Sequence, residues 1–388
     1  MSSPFFLRLL LAAAWLVLAS CSNSSPLPVN APHSVPPEVS AAPTGDPVPQ
    51  SPSPSPSPSK EPEVKAVPYH GPIEHIFFHP LILFPELAFD GDSITRVYDD
   101  WFVTVPEFQK MLTLLYERNY ILVDIHSLYR LETVNGKLTA VQQPLSLPAG
   151  KKPLVLSIDD LNYYEYMRAN GNAWRLVPDR EDGVTAWART PDGQEKSSRE
   201  WEIVPLLDDF VKRHPDFSWQ GAKGILALTG YEGVLGYRTN ERESPNYKGE
   251  KAKALDMIQR LRKNGWTFAS HTWGHMDVKK SSLARLKRDT ARWKEEVGSL
   301  VGSTDVFVYP YGSSVAPEDP KLAFLRSQGF VVFCSVGPQP FLSFRDGMLR
   351  MDRRHIDGIS LRTQRARLEP LFGNSPLLDP ARPKIPTK

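Results

Sequence analysis

Leu154-Val155-Leu156-Ser157-Ile158-Asp159-Asp160 is an apolar run that ends on two carboxylates. Lys151-Lys152-Pro153 leads into it, and the run is apolar on both faces, as expected of an inner strand covered by helices. Carboxylates at the C-terminal end of a buried parallel strand stand where α/β folds keep their chemistry. Further strands read at Gly224 to Gly230, Trp266 to Ala269, Asp305 to Tyr309 and Phe330 to Cys334. Helical stripes lie among them: Phe108, Met111, Leu112 and Leu115; Ala254, Leu255, Ile258 and Leu261; Leu283, Leu286, Thr290 and Trp293; Leu322 and Leu325. Strands and helices alternate across most of residues 110 to 335, which predicts a parallel α/β fold.

A second carrier of chemistry follows the strand at Trp266. Ser270-His271-Thr272-Trp273-Gly274-His275 holds two histidines four residues apart. If Gly274 permits a helical turn, both imidazoles share a side. If not, a tight loop can still converge them. Neutral imidazole is a good zinc ligand, and a carboxylate from elsewhere would complete the site. The plainer alternative is one histidine capping the strand and the other on the surface.

The chain has 388 residues, room for one large domain or two small ones. Its formal charge of +2 and the absence of a basic stripe give no case for nucleic acid. Cys21 and Cys334 are its two cysteines, too few for a disulfide framework. Cys334 reads as a buried core residue.

The N-terminus blocks any inference of a cytosolic protein. Arg8 precedes the apolar run Leu9 to Ala19, the pattern of an export signal over residues 1 to 20, and rather short for a membrane span. It ends at Leu18-Ala19-Ser20-Cys21, which resembles the bacterial lipobox, in which the cysteine is lipidated and becomes the first residue. Residues 22 to 68 include Ser51-Pro52 and its repeats through Pro58 and read as a semi-rigid tether. Residues 69 to 388 form the folded domain. The expected location is extracytoplasmic, lipid-anchored to the bacterial cell membrane.

Within that domain, Ile73 to His79 reads as the first strand, with His75 and His79 on one face. Asp90-Gly91-Asp92 and Tyr98-Asp99-Asp100 read as polar loops, and Val105-Pro106-Glu107-Phe108 opens a helix. His126 is not expected to bind metal. Residues 172 to 190 read as an inserted hairpin, whose Trp174 and Trp187 either pack it or stack on a ligand.

Asp159-Asp160, His271-Thr272-Trp273-Gly274-His275 and Tyr309-Pro310-Tyr311-Gly312 together resemble the polysaccharide deacetylases of the NodB-homology type, carbohydrate esterase family 4. Over roughly residues 73 to 360 the resemblance implies a distorted (β/α) barrel with fewer than eight strands. It implies metal ligation by Asp160, His271 and His275, with Asp159 as base and the Tyr311 N–H as an oxyanion donor. The implied cofactor is one divalent ion, zinc foremost and cobalt or nickel as alternatives. The implied reaction removes N-acetyl groups from a cell-wall or surface polysaccharide. The partners are then an acetylated glycan and, through the lipid, the membrane; no protein partner is implied.

Three positions depart from the family pattern. Leu161 stands for a glycine after the aspartates. Val308 stands for the arginine that braces the base, with Arg353 or Arg354 as spatial substitutes. The late Leu-x-His motif is matched only by Arg353-Arg354-His355, which makes His355 the candidate acid and His79 its alternative. The missing arginine and the imperfect late histidine keep open a catalytically impaired glycan-binding lipoprotein, and the same metal-water mechanism keeps open an O-acetyl esterase.

Overall fold

A computed structural model describes residues 65–180 and 182–384. The export signal, Cys21 and most of the tether lie outside the described residues. Seven parallel strands form the frame: β1 (Glu74–Phe78), β2 (Lys152–Asp159), β3 (Ile225–Leu228), β4 (Thr267–Ser270), β5 (Val306–Val308), β6 (Val332–Val336) and β7 (Met348–His355). They pair in that order, and β7 returns to β1 through Arg354↔Ile76 and His355↔Phe77, closing a distorted (β/α) barrel. The closure is uneven. β4 and β5 meet at one residue pair, Ser270↔Phe307, and the Thr304 hydroxyl donates to the Phe268 carbonyl beside it at 2.8 Å.

Period-two alternation sorts each strand between two cores. From β2, Leu154, Leu156 and Ile158 join the outer core under the helices, while Val155 faces the barrel interior with Ala227, Ala269, Val308, Cys334 and Met351. The apolar-on-both-faces reading of β2 is thus met, up to the point where the inward positions turn polar at Ser157 and Asp159. Cys334 is fully buried in this interior, and burial pushes its thiol up to about 12.

The flanking helices follow their apolar stripes. α1 (Thr95–Trp101) precedes α2 (Val105–Glu117), then come α3 (Ile203–Arg213), α4 (Tyr247–Lys263), α5 (Leu283–Trp293) and α6 (Pro320–Ser327). The Thr104 and Glu107 side chains close a reciprocal cap on α2, with Pro106 in its first turn. A π-turn over Lys294–Gly298 continues α5. The structure corrects the reading of Tyr98-Asp99-Asp100 as a loop. These residues are helical, and Asp99 is fully buried because Arg362 and Arg382 neutralise it. The inserted hairpin is a three-stranded antiparallel sheet, Arg175–Pro178, Val184–Arg189 and Glu195–Ser198. Trp174 and Trp187 pack edge to face in it, with centroids 5.5 Å apart. Ala66–Pro68, the end of the segment read as tether, pairs with Ser146–Pro148. No helix among the described residues is long and apolar enough to cross a membrane.

Charge networks tie the periphery down. Arg382 engages Glu107 through Nε at 2.6 Å and Nη2 at 2.8 Å, and Asp99 through Nη1 at 3.2 Å. At the N-terminal end of the strands, half-buried His126 sits between Asp124 (2.7 Å) and Asp305 (3.3 Å), and Tyr129 donates to Asp305 at 2.6 Å. Burial would depress this histidine, but the two carboxylates outweigh burial and push it up to about 10.

Two stability measurements follow. Arg382→Ala strands buried Glu107 without a cation and should cost about 3–5 kcal/mol in urea unfolding, against under about 1 kcal/mol for the exposed Arg96→Ala. A cost for Arg382→Ala no larger than that for Arg96→Ala would remove the network from the account. For His126, a folded value above the ordinary 6.5 means its contribution is complete below 6.5 and drains away as pH rises toward about 10. The stability gap between the native chain and His126→Ala should therefore narrow over that window in melts at stepped pH. A constant gap would mean that packing rather than charge supplies it.

Candidate metal centre

Asp159 and Asp160 leave β2 in different directions because the backbone reverses between them. Asp160 has φ +60°. Asp159 keeps the inward parity of Val155 and Ser157, while Asp160 swings toward the loop that follows β4. That loop is itself bent through positive φ at Thr272 (+60°) and His275 (+46°). The helical-turn alternative for the histidine pair is therefore not the one realised, and a tight loop converges them. Their ring centroids lie 5.0 Å apart.

Asp160, His271 and His275 each present one ligand atom, and these atoms all lie within 4.8 Å of one another. His275 Nε2 is 3.6 Å from Asp160 Oδ2, too long for a hydrogen bond and open for an ion between them, and His271 Nε2 is 3.8 Å from Asp159 Oδ2, also too long for a hydrogen bond. The remaining ring nitrogens are occupied. His271 Nδ1 donates to the Val308 carbonyl at 3.0 Å, and His275 Nδ1 lies 3.0 Å from the Tyr311 hydroxyl. With the protons placed on Nδ1, both Nε2 lone pairs face the gap. Burial holds His271 down to about 4, so it is neutral and ready to ligate at physiological pH. Tyr164 donates to Asp160 Oδ1 at 2.6 Å and also meets the Thr229 hydroxyl. That fixes one carboxylate oxygen and leaves Oδ2 toward the histidines. Two imidazoles and one carboxylate, pre-oriented and partly open, fit a divalent metal ion.

Asp159 belongs to a different set of contacts. Arg353, inward on β7, clamps it with Nη1 to Oδ1 at 2.6 Å and Nη2 to Oδ2 at 2.9 Å. Burial would raise this carboxyl, but Arg353 first and His271 second hold it below the usual carboxylate range. Arg353 is 1% exposed and rests over the Phe77 ring at 4.1 Å. Its Nη1 also donates to Ser157, which in turn contacts His75 at 3.1 Å. Of the two arginines offered by the sequence, Arg353 is the one at the aspartate. Arg354, one residue on, faces the other side and pairs with Glu74.

The other sequence-picked residues fall around this centre. Tyr311 sits in a turn at φ +58°, is 70% exposed, and touches the site through its hydroxyl on His275. His355 lies two residues beyond Arg353. Asp357 holds its Nδ1 at 2.6 Å, and Gln364 lies 3.2 Å from its Nε2. Burial lowers its pKa, but Asp357 outweighs burial and the net shift is upward. His79 meets Phe77 edge to face and Phe102 at a tilt, and is near enough to Asp159 to help lower its pKa. Leu161 is fully buried in the outer core, filling with side chain what a glycine would leave open. Two participants had no signal in the sequence. Tyr164 is one. Asp289 is the other, accepting the Trp273 and Gly274 N–H groups at 2.7 and 2.9 Å and so holding the histidine loop in shape.

Residues 241–330 match the sequence profile of the polysaccharide deacetylase family, a segment that contains both histidines and Tyr311. No curated protein matches the chain. Among solved structures, a Streptococcus pyogenes deacetylase in complex with acetate is 14% identical, with a TM-score of 0.41 over 76% of this chain and 94% of that one. The chitin deacetylase of the fungal pathogen Colletotrichum lindemuthianum is 15% identical, with a TM-score of 0.26 over 43% and 74%.

The division between the aspartates is testable without any substrate. Asp160→Ala, His271→Ala and His275→Ala should each lose most bound metal on elemental analysis of the zinc-dialysed protein. Asp159→Asn should hold nearly the native amount. Equal loss in all four would place Asp159 among the ligands, and retention in all four would dissolve the centre.

Proposed function

We propose that the chain as a whole is a zinc-dependent polysaccharide deacetylase, exported and lipid-anchored through Cys21, that hydrolyses N-acetyl groups on a cell-wall or surface glycan. The observation that carries the proposal is the pairing of two separate arrangements within one strand end. Asp160, His271 and His275 are open toward a common point, and beside them Asp159 is held ionised by Arg353.

A divalent ion held there supplies polarisation of the acetyl carbonyl and acidification of a water. The chain's own groups do the rest. Asp159 takes the water's proton. Its bidentate clamp lowers its intrinsic basicity but fixes both oxygens, so orientation is provided at some cost in proton affinity. Burial of the pair keeps competing water away and strengthens its field. The Tyr311 N–H, presented by a backbone turned to φ +58°, is the donor for the developing oxyanion. The leaving amine needs a proton, and His355, raised toward the charged form by Asp357, is the acid. His79 is the second candidate, because it lies beside Asp159.

Arg353 bears on the reading of a decayed enzyme. That reading rests on the missing arginine at Val308 and on the imperfect late histidine motif; the bidentate clamp of Arg353 from β7 bears on the first of these. The Val308 position instead lends its carbonyl to His271.

Acetate release from an N-acetylglucosamine hexamer, with zinc restored, tests the proposal. Asp159→Asn should lower turnover about 10²–10⁴-fold, the usual range for a general base. His355→Gln should lower it by a comparable factor with metal content kept, and His79→Gln much less; the reverse order would transfer the acid to His79. Turnover of acetylated xylan with none of the hexamer would make the protein an O-acetyl esterase. No turnover of either would leave a glycan-binding protein. Lipid labelling that persists in Cys21→Ala would exclude the anchor.

A further inference from the structure

Beside the metal centre runs a groove of about 710 Å³ whose lining includes His275 and Tyr311 from the site itself. Tyr231 and Trp273 contribute aromatic surface, as a carbohydrate groove would require. The rest of the lining is different in kind. Arg285, Arg288 and Arg292 all project into it from α5, with Asp289 among them. Their spacing of three and four residues puts them on one helix face, opposite the buried Leu286, Thr290 and Trp293.

The three guanidinium groups are not equivalent. Arg292 is spent: its Nε donates to Glu296 at 2.8 Å and its plane lies 3.5 Å from the Trp273 ring centre. Trp273 in turn donates from Nε1 to Glu296 at 2.7 Å, so Arg292 and Trp273 form a fixed wall. Asp289 is spent too, since its two oxygens hold the Trp273 and Gly274 N–H groups. Among the described residues, neither the Arg285 nor the Arg288 guanidinium makes a hydrogen bond or an ion pair within 4.0 Å. Both are exposed. The other cations of this helix are turned elsewhere: Lys287 lies over Phe324 at 5.8 Å, and Lys294 donates to Gln328 at 2.8 Å. The groove therefore gathers two unpaired guanidiniums next to residues that would hold a divalent cation, in a chain whose formal charge is only +2. Asp289 lies among the arginines, and Arg285 and Arg292 act on its charge, but both of its oxygens are taken by backbone N–H groups, so the Arg285 and Arg288 forks keep their donors free. An uncharged sugar can offer them only single, neutral hydroxyl acceptors. A carboxylate or a phosphate offers more, because the planar fork of arginine matches both in two parallel hydrogen bonds.

We infer that the groove selects glycans bearing an anionic substituent near the acetamido sugar that reacts, with Arg285 and Arg288 as the residues that read the charge. This rests on the deacetylase reading and names its substrate class. The anion's source is either a uronic acid in the polymer or a phosphodiester linking its units.

Three probes test it on the zinc-loaded full chain: the neutral N-acetylglucosamine hexamer, an oligosaccharide alternating glucuronate with N-acetylglucosamine, and an oligomer of N-acetylglucosamine 1-phosphate. Calorimetric dissociation constants are read at low and high salt, and acetate release in parallel. At low salt one acidic probe should bind at least about tenfold more tightly than the neutral one, the worth of one charged hydrogen bond. High salt should erase the preference. The double variant Arg285→Gln/Arg288→Gln should also erase it, in binding and in the acidic-to-neutral ratio of kcat/KM, with zinc content unchanged as the check on folding. The acidic probe that shows the preference identifies the source. Equal binding of all three probes, or a preference that survives in the double variant, would overturn the inference. A salt- and arginine-dependent preference without acetate release would keep the groove and refute the deacetylase. Acetate release from neutral and acidic probes alike would do the reverse, and neither binding nor release would refute both.

Discussion

The site depends on one buried ion pair. Asp159 and Asp160 are adjacent, both are nearly inaccessible, and two carboxylates so placed cannot both remain charged without separate cations. Arg353 provides the first cation from β7, which lies on the other side of β1 from β2. Asp160, together with the paired imidazoles, is left for the second. Removing Arg353 would strand a buried charge at a cost of about 3–5 kcal/mol. The pair therefore specifies which aspartate faces the metal position as well as stabilising the barrel interior. It is also continuous with the polar column His75–Ser157–Arg353, in which burial pulls the His75 pKa well down and leaves the imidazole neutral. The interior changes from apolar at Val155 to polar at Ser157 within two residues, and that step marks where the core ends and the chemistry begins.

Backbone geometry carries the rest. Asp160, Thr272, His275 and Tyr311 all have positive φ although none is glycine. Each such residue costs of order 1 kcal/mol or more, and such costs persist only where surrounding contacts over-determine the conformation. Here the contacts are identifiable. Tyr164 and Thr229 hold Asp160, Asp289 holds the histidine loop, and the Thr272 hydroxyl accepts from the Met276 N–H at 3.0 Å. Non-glycine residues with positive φ also occur in the turns at the opposite end, at Asn119, Asn135, Gln220 and Asp346. Those at the metal centre differ in that they carry or adjoin the ligand side chains.

This distribution explains what the sequence could disclose. β2 and the helical stripes are local patterns repeated over several residues and are legible, as is the histidine pair through its spacing, whereas the choice of Asp160 over Asp159 as the third ligand comes from the family resemblance. Arg353 was legible only as one of two neighbours. Strand parity decides between them, and parity requires the register of β7 against β1. Tyr98-Asp99-Asp100 misled because buried carboxylates look like loop residues until their cations, 263 and 283 residues away for Arg362 and Arg382, are in place. The hairpin's third strand, Glu195–Ser198, is short and polar, with no alternation to betray it. Tyr164 and Asp289 act through hydrogen bonds to the loops at the strand ends, and nothing in their own neighbourhoods marks them.

The departures from the family pattern then become mutually consistent. A glycine after the aspartates would leave room beside them, whereas Leu161 fills the outer core, and the flexibility lost is replaced by the positive φ of Asp160 and Tyr163. An arginine at Val308 would have to share the barrel interior with Arg353, and two guanidiniums around one carboxylate would leave one of them buried without a partner. Arg353 clamps Asp159 from β7, and β5 presents the apolar Val308 to the same interior. Val308 is the complement of Arg353, and its main-chain carbonyl remains available to orient His271.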